Sequence, residues 1–197
     1  SFNPCTTYSY SNLGYVILGK IISVLTELPY EDYVVMNVLK PLGIHDMHIG
    51  KSFYHEKYPN EVRYYEPAGS SLTLAFNGSG RMVPKSYGGN NIELLGPAGG
   101  WVASAPELIK FISAIDGFEN VPDFLTDSTI MLMIDPERAG DGLFGWRGSD
   151  RHGTWWRTGT LSVSLSFVMR MHNGLNWVVL LNTSGYKRQR IHNKLSR

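Results

Sequence analysis

The hydrophobic pattern changes period along this chain, and that change limits the folds open to it. Leu13, Val16, Ile17, Ile21, Val24, Leu25 and Leu28 recur every three or four positions. This is the spacing of an amphipathic helix of about four turns. In the last third the runs "GLFGWRG", "GTWWRTG", "SLSFVMRMH" and "NWVVLLNTS" are short, aromatic and β-branched, with Gly, Ser and Asn between them. They predict antiparallel strands. His172-Asn173-Gly174 marks a tight hairpin, since Asn-Gly suits the positive φ angles of a type I′ turn. Helices first, then a meander of strands and a closing helix over "YKRQRIHNKLSR", describe an α+β protein.

Local signals place the boundaries. Ser11 or Asn12 can cap the first helix. Pro29 ends it and opens a second, "YEDYVVMNVLKPLGI", expected to stop before Pro41. Residues 50–97 are rich in Gly, Ser, Asn, Pro and Tyr without a sustained period, and predict a long loop with one or two short strands. A loop of that length in a compact domain is usually functional or disordered. A third helix starts at "SAPEL", where Ser104 as N-cap and Glu107 three residues on form a capping box, and Leu108, Ile109, Phe111, Ile112 and Ile115 supply its buried side. Residues 1–135 are then a helical portion with the long loop, and 136–197 the strands and closing helix.

Charge and composition exclude whole classes. With 18 basic and 17 acidic side chains the formal charge is +1, and no long run of one sign offers a nucleic-acid footprint. The longest basic cluster, Lys187, Arg188 and Arg190, suits the solvated start of the closing helix. Apolar residues at 43% and aromatics at 12% argue against disorder. The single cysteine, Cys5, has no partner for an internal disulfide. No apolar stretch reaches the roughly 18 residues of a membrane span. "SFNPCTTYSYSN" is no signal peptide and reads as the middle of something, which predicts a fragment or a processed chain. His45, Asp46 and His48 lack a third metal ligand of suitable spacing and read as a surface turn. Of Trp155 and Trp156, on alternating strand faces, one ring is expected in the core. Phosphate loops, zinc cysteine sets and dinucleotide fingerprints are absent, and neither cofactor nor metal is expected.

Three segments carry a family resemblance. "FNPCTTYSYSNLGYVILGKIISVLTELPYEDYVVMNVLKPLGI" resembles the part of the serine β-lactamase and penicillin-binding-protein family that holds its Tyr-x-Asn motif. "GPAGGWVASAPELIKFISAI" is similar to that family's Gly-Gly stretch and following helix. "WWRTGTLSVSLSFVMRMHNGLNWVVLLNTS" resembles its third motif, Lys/His-Thr-Gly, on a strand followed by a hairpin. The layout resembles that of class C β-lactamases, D-alanyl-D-alanine carboxypeptidases and related esterases, and the resemblance implies a β-lactamase/transpeptidase-like fold with an antiparallel sheet and a helical subdomain.

The resemblance implies a site. Tyr10 would help move the proton of a nucleophilic serine; a free phenol titrates near ~10, so this role calls for cations close by. Asn12 would hold a substrate carbonyl through its amide. Arg157 and Thr158 would supply a cation and a hydroxyl for a substrate carboxylate, and Gly159 would let the substrate backbone lie close to the strand. The N–H of Thr160 would serve as an oxyanion donor. Tyr10 and Asn12 should meet Arg157–Thr160 across one cleft, with exposed apolar surface on one wall.

The chain departs from the pattern. No Ser-x-x-Lys precedes Tyr10; the one chemical match, Ser184-Gly185-Tyr186-Lys187, follows the last strand and reads as coincidence. Arginine stands at 157 where lysine or histidine is usual; it keeps the charge but cannot relay protons. Valine stands at 163, near a common glycine. The implied function is acyl transfer through a serine acyl-enzyme on peptide, β-lactam or ester substrates, by a chain missing its nucleophile. The alternative is a catalytically silent module that binds peptidoglycan-type peptides or a protein partner. The implied compartment is periplasmic or extracellular. Partners are a small-molecule or peptide substrate and, through the exposed wall, a second copy, with no nucleic acid.

Overall fold

The computed structural model describes residues 6, 9–134, 146, 148–149 and 152–183. Helix α1 (Asn12–Thr26) is capped by Ser11, whose side-chain oxygen accepts the Gly14 N–H at 3.2 Å; Asn12 is the first helical residue. It ends at Glu27, which takes φ 58°. Helix α2 (Tyr30–Val34) opens after Pro29, widens into a π turn over Val35–Leu39 and tightens into a 3-10 turn over Lys40–Leu42. The helical path therefore passes through Pro41 instead of stopping before it. Pro41 sits in the first turn of the 3-10 segment, where its missing N–H costs little. The Ile44 N–H reaches past it to the Leu39 carbonyl at 2.9 Å.

Four two-residue strands follow: β1 (His48–Ile49), β2 (Thr73–Leu74), β3 (Met82–Val83) and β4 (Trp101–Val102). β1 pairs with β4 and β2 with β3, both antiparallel. Residues 50–97 are thus a long loop around one short hairpin, as expected. Helix α3 (Ala105–Ser113) has Ser104 as N-cap, its hydroxyl accepting the Glu107 N–H at 3.3 Å. The reciprocal half of the expected capping box is diverted. Glu107 accepts the His45 N–H at 3.1 Å and pairs with Lys110 at 3.1 Å, so a tertiary donor outcompetes the local one. Helix α4 (Asp127–Ile134) has no counterpart in the sequence reading.

Strands β5 (Gly148–Ser149), β6 (Trp155–Leu161), β7 (Ser164–Arg170) and β8 (Asn176–Leu181) form an antiparallel sheet in that order. The β7–β8 connection differs from the two-residue type I′ turn expected. The Gly174 N–H bonds to the Met171 carbonyl and the Met171 N–H to the Leu175 carbonyl, and only Gly174 takes a positive φ, 88°. A three-residue loop needs a left-handed residue only at its last position. The main core joins α3, α4 and the sheet through Ile112, Ile115, Ile130, Trp146, Trp155 and Val168. Trp155 is buried and Trp156 half-buried, as strand alternation requires. Cys5, Ser184 to Lys187, the basic cluster and the expected closing helix lie outside the described residues, as does most of "GLFGWRG".

The apolar stripe on α1 is largely exposed, with Val16 and, just past the helix end, Leu28 half-buried. Leu13, Val24 and Leu25 are 66%, 63% and 78% exposed, Ile17 and Ile21 are also exposed, and only Gly19 is buried. The helix packs through its glycine. A Cβ built on Gly19 would lie 2.1 Å from Cγ of Pro97, in the 3-10 turn Gly96–Ala98 that precedes β4. Periodicity identifies an apolar face; it does not identify what covers it. Among the described residues no single helix is long and apolar enough to cross a membrane.

Candidate active site

The Ser11 cap fixes the chain where it enters α1, and the residues on either side of that cap are paired. The Tyr10 hydroxyl donates to Oδ1 of Asn12 at 2.7 Å, within hydrogen-bond range for an O–H donor. Tyr10 is 53% exposed and Asn12 also lies at the surface. The Gly19–Pro97 contact holds the other end of this arrangement, seating α1 on the turn before Gly99-Gly100.

Arg157 comes to Tyr10 from the far end of the sequence. Its guanidinium carbon lies 5.6 Å from the centre of the Tyr10 ring, a cation–π contact. The structure thus brings together two of the residues singled out in sequence, with Asn12 joined to them through Tyr10. Arg157 and Thr158 are half-buried and Thr160 is exposed.

The ladder register decides which backbone groups of β6 face outward. In an antiparallel pair, hydrogen-bonded and non-hydrogen-bonded pairs alternate. Met171 bonds to Leu175 at the β7–β8 turn, so Leu165, Phe167 and Met169 direct their amides to β8. Ser164, Ser166, Val168 and Arg170 then serve Leu161, Gly159, Arg157 and Trp155 on β6. Thr160 is left with its N–H toward the opposite edge. There β5 pairs only with Trp155 and Trp156, and among the described residues no strand lies beyond Thr160.

Gly159 has a structural use of its own. A Cβ there would lie 2.3 Å from Oγ of Ser166, its partner across β7. The missing side chain makes room for that hydroxyl as well as keeping the strand bare.

The long loop closes around the same sheet. The Tyr65 N–H bonds to the Asn182 carbonyl at 2.9 Å, and the Thr183 hydroxyl to the Tyr65 carbonyl at 2.9 Å. Inside the loop Lys57 is caged by Tyr54, Tyr64 and Tyr87, its ammonium 5.9, 4.9 and 5.7 Å from the ring centres and 4.0 Å from the Glu61 carboxylate. Burial lowers the Lys57 pKa against the opposing pull of Glu61, and raises that of Tyr64. The sequence reading missed this cage, although four tyrosines and a lysine between 54 and 65 were its visible signal. His48 stacks on Tyr58 and pairs with Asp46 at 3.5 Å, and Asp46 accepts from Asn60. Among the described residues no group of three or more His, Cys, Asp or Glu could hold a metal ion.

Comparison with known proteins bears on the whole chain. The model of the Beta-lactamase family matches residues 1–196. No curated protein matches the chain in sequence. Among solved structures, D-amino acid amidase from Ochrobactrum anthropi SV3 is similar, with TM-score 0.64 and 22% identity, over 100% of this chain and 61% of that one. The octameric penicillin-binding protein homologue from Pyrococcus abyssi has TM-score 0.65 and 22% identity, over 100% of this chain and 44% of that one. Beta-lactamase/D-alanine carboxypeptidase from Yersinia pestis has TM-score 0.65 and 14% identity, over 99% and 56%. This chain therefore spans about half the length of the structures it resembles. Its α+β architecture is the β-lactamase/transpeptidase fold, and the chain belongs to the Beta-lactamase family.

Proposed function

We propose that this chain supplies one wall of a serine-hydrolase site that acts by acyl transfer on amide, peptide, β-lactam or ester bonds. The observation that supports this best is the Arg157–Tyr10 contact, which nothing in either local segment requires. The nucleophile, a serine with its lysine, would come from a part of the gene product not represented among these residues. Attack of its Oγ on the substrate carbonyl would form a tetrahedral oxyanion, received by the outward N–H of Thr160. Tyr10 would take part in moving the serine proton toward the leaving group, and water would then hydrolyse the acyl-enzyme through the same arrangement. Arg157 would grip a substrate carboxylate with two parallel donors, Thr158 would add a hydroxyl, and Asn12 would hold a substrate carbonyl. Before Tyr10 can act it must release Asn12, to which it now donates.

The exposed stripe on α1 fits the same proposal. It begins at Leu13, directly after Asn12, and is apolar surface suited to the remainder of such a domain or to a second copy of the chain. Labelling with a fluorescent penicillin tests the reading. The full-length gene product should be acylated at a serine upstream of Tyr10, and the 197-residue chain should not. An adduct at a serine within these 197 residues, located by mass spectrometry, would overturn the proposal and direct attention to Ser184. A full-length product that binds penicillin without acylation would favour the silent binding module.

A further inference from the structure

The β6–β7 turn lies just beyond Thr160, and its first residue carries an uncommon backbone. Ser162 takes φ 49°; Glu27 is the one other non-glycine with positive φ among the described residues. Glycine meets that requirement without steric cost, so a serine here needs another reason. Its hydroxyl supplies one. Ser162 Oγ accepts from Nδ2 of Asn90 at 3.0 Å and donates to the Lys85 carbonyl at 3.1 Å. Both partners belong to the long loop, 72 and 77 positions earlier in the chain. The loop segment they sit on has little freedom. The Tyr87 N–H bonds to the Pro84 carbonyl at 3.0 Å and the Phe76 N–H to the Gly88 carbonyl at 2.9 Å. A side chain at Gly89 would lie 2.8 Å from the Lys85 carbonyl oxygen.

We infer that Ser162 is a positioning residue: its bridge to Lys85 and Asn90 locks the 84–90 segment to the end of β6 and sets where the Thr160 N–H stands against that wall. The inference rests on the reading of Thr160 as an oxyanion donor. An oxyanion forms only as the bond is attacked, so loss of the bridge should act on kcat more than on KM. Ser162→Gly removes the hydroxyl and leaves the backbone at ease, which separates the bridge from the strain of the turn.

Amide hydrogen exchange on the 197-residue chain reads the bridge without any catalysis. In Ser162→Gly and in Asn90→Ala, exchange at Phe76 and Tyr87 should quicken about fivefold or more, while Val179 in β8 keeps its protection. Unchanged exchange at Phe76 and Tyr87 would overturn the bridge. In the full-length gene product Ser162→Gly should lower kcat about tenfold with KM within about twofold. Asn90→Ala should lower it by less because the bond to the Lys85 carbonyl remains, and the double variant should be no worse than Ser162→Gly alone, because Ser162 takes part in both bonds. Faster exchange with wild-type kcat would overturn the positioning role. If the unsubstituted full-length product hydrolyses no amide, ester or β-lactam, the acyl-transfer reading fails, and the exchange measurement still decides the bridge.

Discussion

Substituting alanine for Gly19 tests how α1 is held, and with it how Tyr10 and Asn12 reach the strand. The new methyl carbon would stand 2.1 Å from Cγ and 2.8 Å from Cβ of Pro97, where ordinary contact begins at 3.4 Å. A proline ring cannot swing aside, and its turn is fixed by the bond from the Gly100 N–H to the Leu95 carbonyl at 2.9 Å. Helix and turn must therefore part by roughly 1 Å, an overpacking strain that typically costs about 1–3 kcal/mol. Alanine gains about 0.8–1 kcal/mol over glycine in a helix interior, so the net loss should be about 1 kcal/mol. Gly14, in the same helix, is the control. A Cβ there would meet only the Ser11 side chain, at 3.8 Å or more, so Gly14→Ala should stabilise by about 0.5–1 kcal/mol. Urea unfolding of the three proteins, at unchanged m-value, reads both numbers. A shift of about 1 Å at a reacting group can cost about 10²-fold in rate, so full-length Gly19→Ala should lose activity well beyond its loss of stability. Equal gains in stability from both substitutions would refute the claim that the Gly19–Pro97 contact seats α1.

Three further expectations follow from the site and its loop. In the full-length gene product Tyr10→Phe should lower kcat about 10²–10⁴-fold with little change in KM; an unchanged kcat would leave Tyr10 a packing residue. Arg157→Gln should raise KM about 10–100-fold for substrates with a free carboxylate and spare their carboxamide analogues, since a hydrogen bond to a charged group contributes about 1.5–3 kcal/mol. An equal effect on both would sink the carboxylate role. Burial holds the Tyr64 pKa above its ordinary value of 10.0, so from about pH 10 upward the unfolded chain loses a proton that the folded chain keeps, and stability falls. Denaturant midpoints measured across that range should decline less steeply in Tyr64→Phe, and identical slopes would exclude Tyr64 as the cause.

The features that were legible in sequence are those set by local chemistry. The caps at Ser11 and Ser104 are one-residue decisions, as is the helix start at Pro29. The strands of the last third could be read because each half-buried strand repeats β-branched and aromatic residues between turn residues. Where a local signal met a distant competitor it failed. Glu107 completes a capping box on paper, yet the His45 N–H, 62 positions away, takes the carboxylate. α4 escaped notice because "DSTIMLMI" is too apolar to show a polar face.

The meeting of Tyr10 and Arg157 was of a third kind. No period or cap in either segment contains it, and it was expected only through resemblance to a family whose motifs occur in that order. Ser162 marks where such a resemblance stops helping. Its backbone follows from the turn, but its hydroxyl answers to Lys85 and Asn90, and the partners of a hydroxyl leave no periodic trace. Residues that join a variable loop to a fixed strand are therefore the ones a motif search passes over. They are also the ones through which a loop can tune a shared site, because a loop has freedom to vary while the strand does not. On the proposed reading, the Ser162 bridge to residues 84–90 would bear on turnover through Thr160, while Arg157 would bear on which substrates are held.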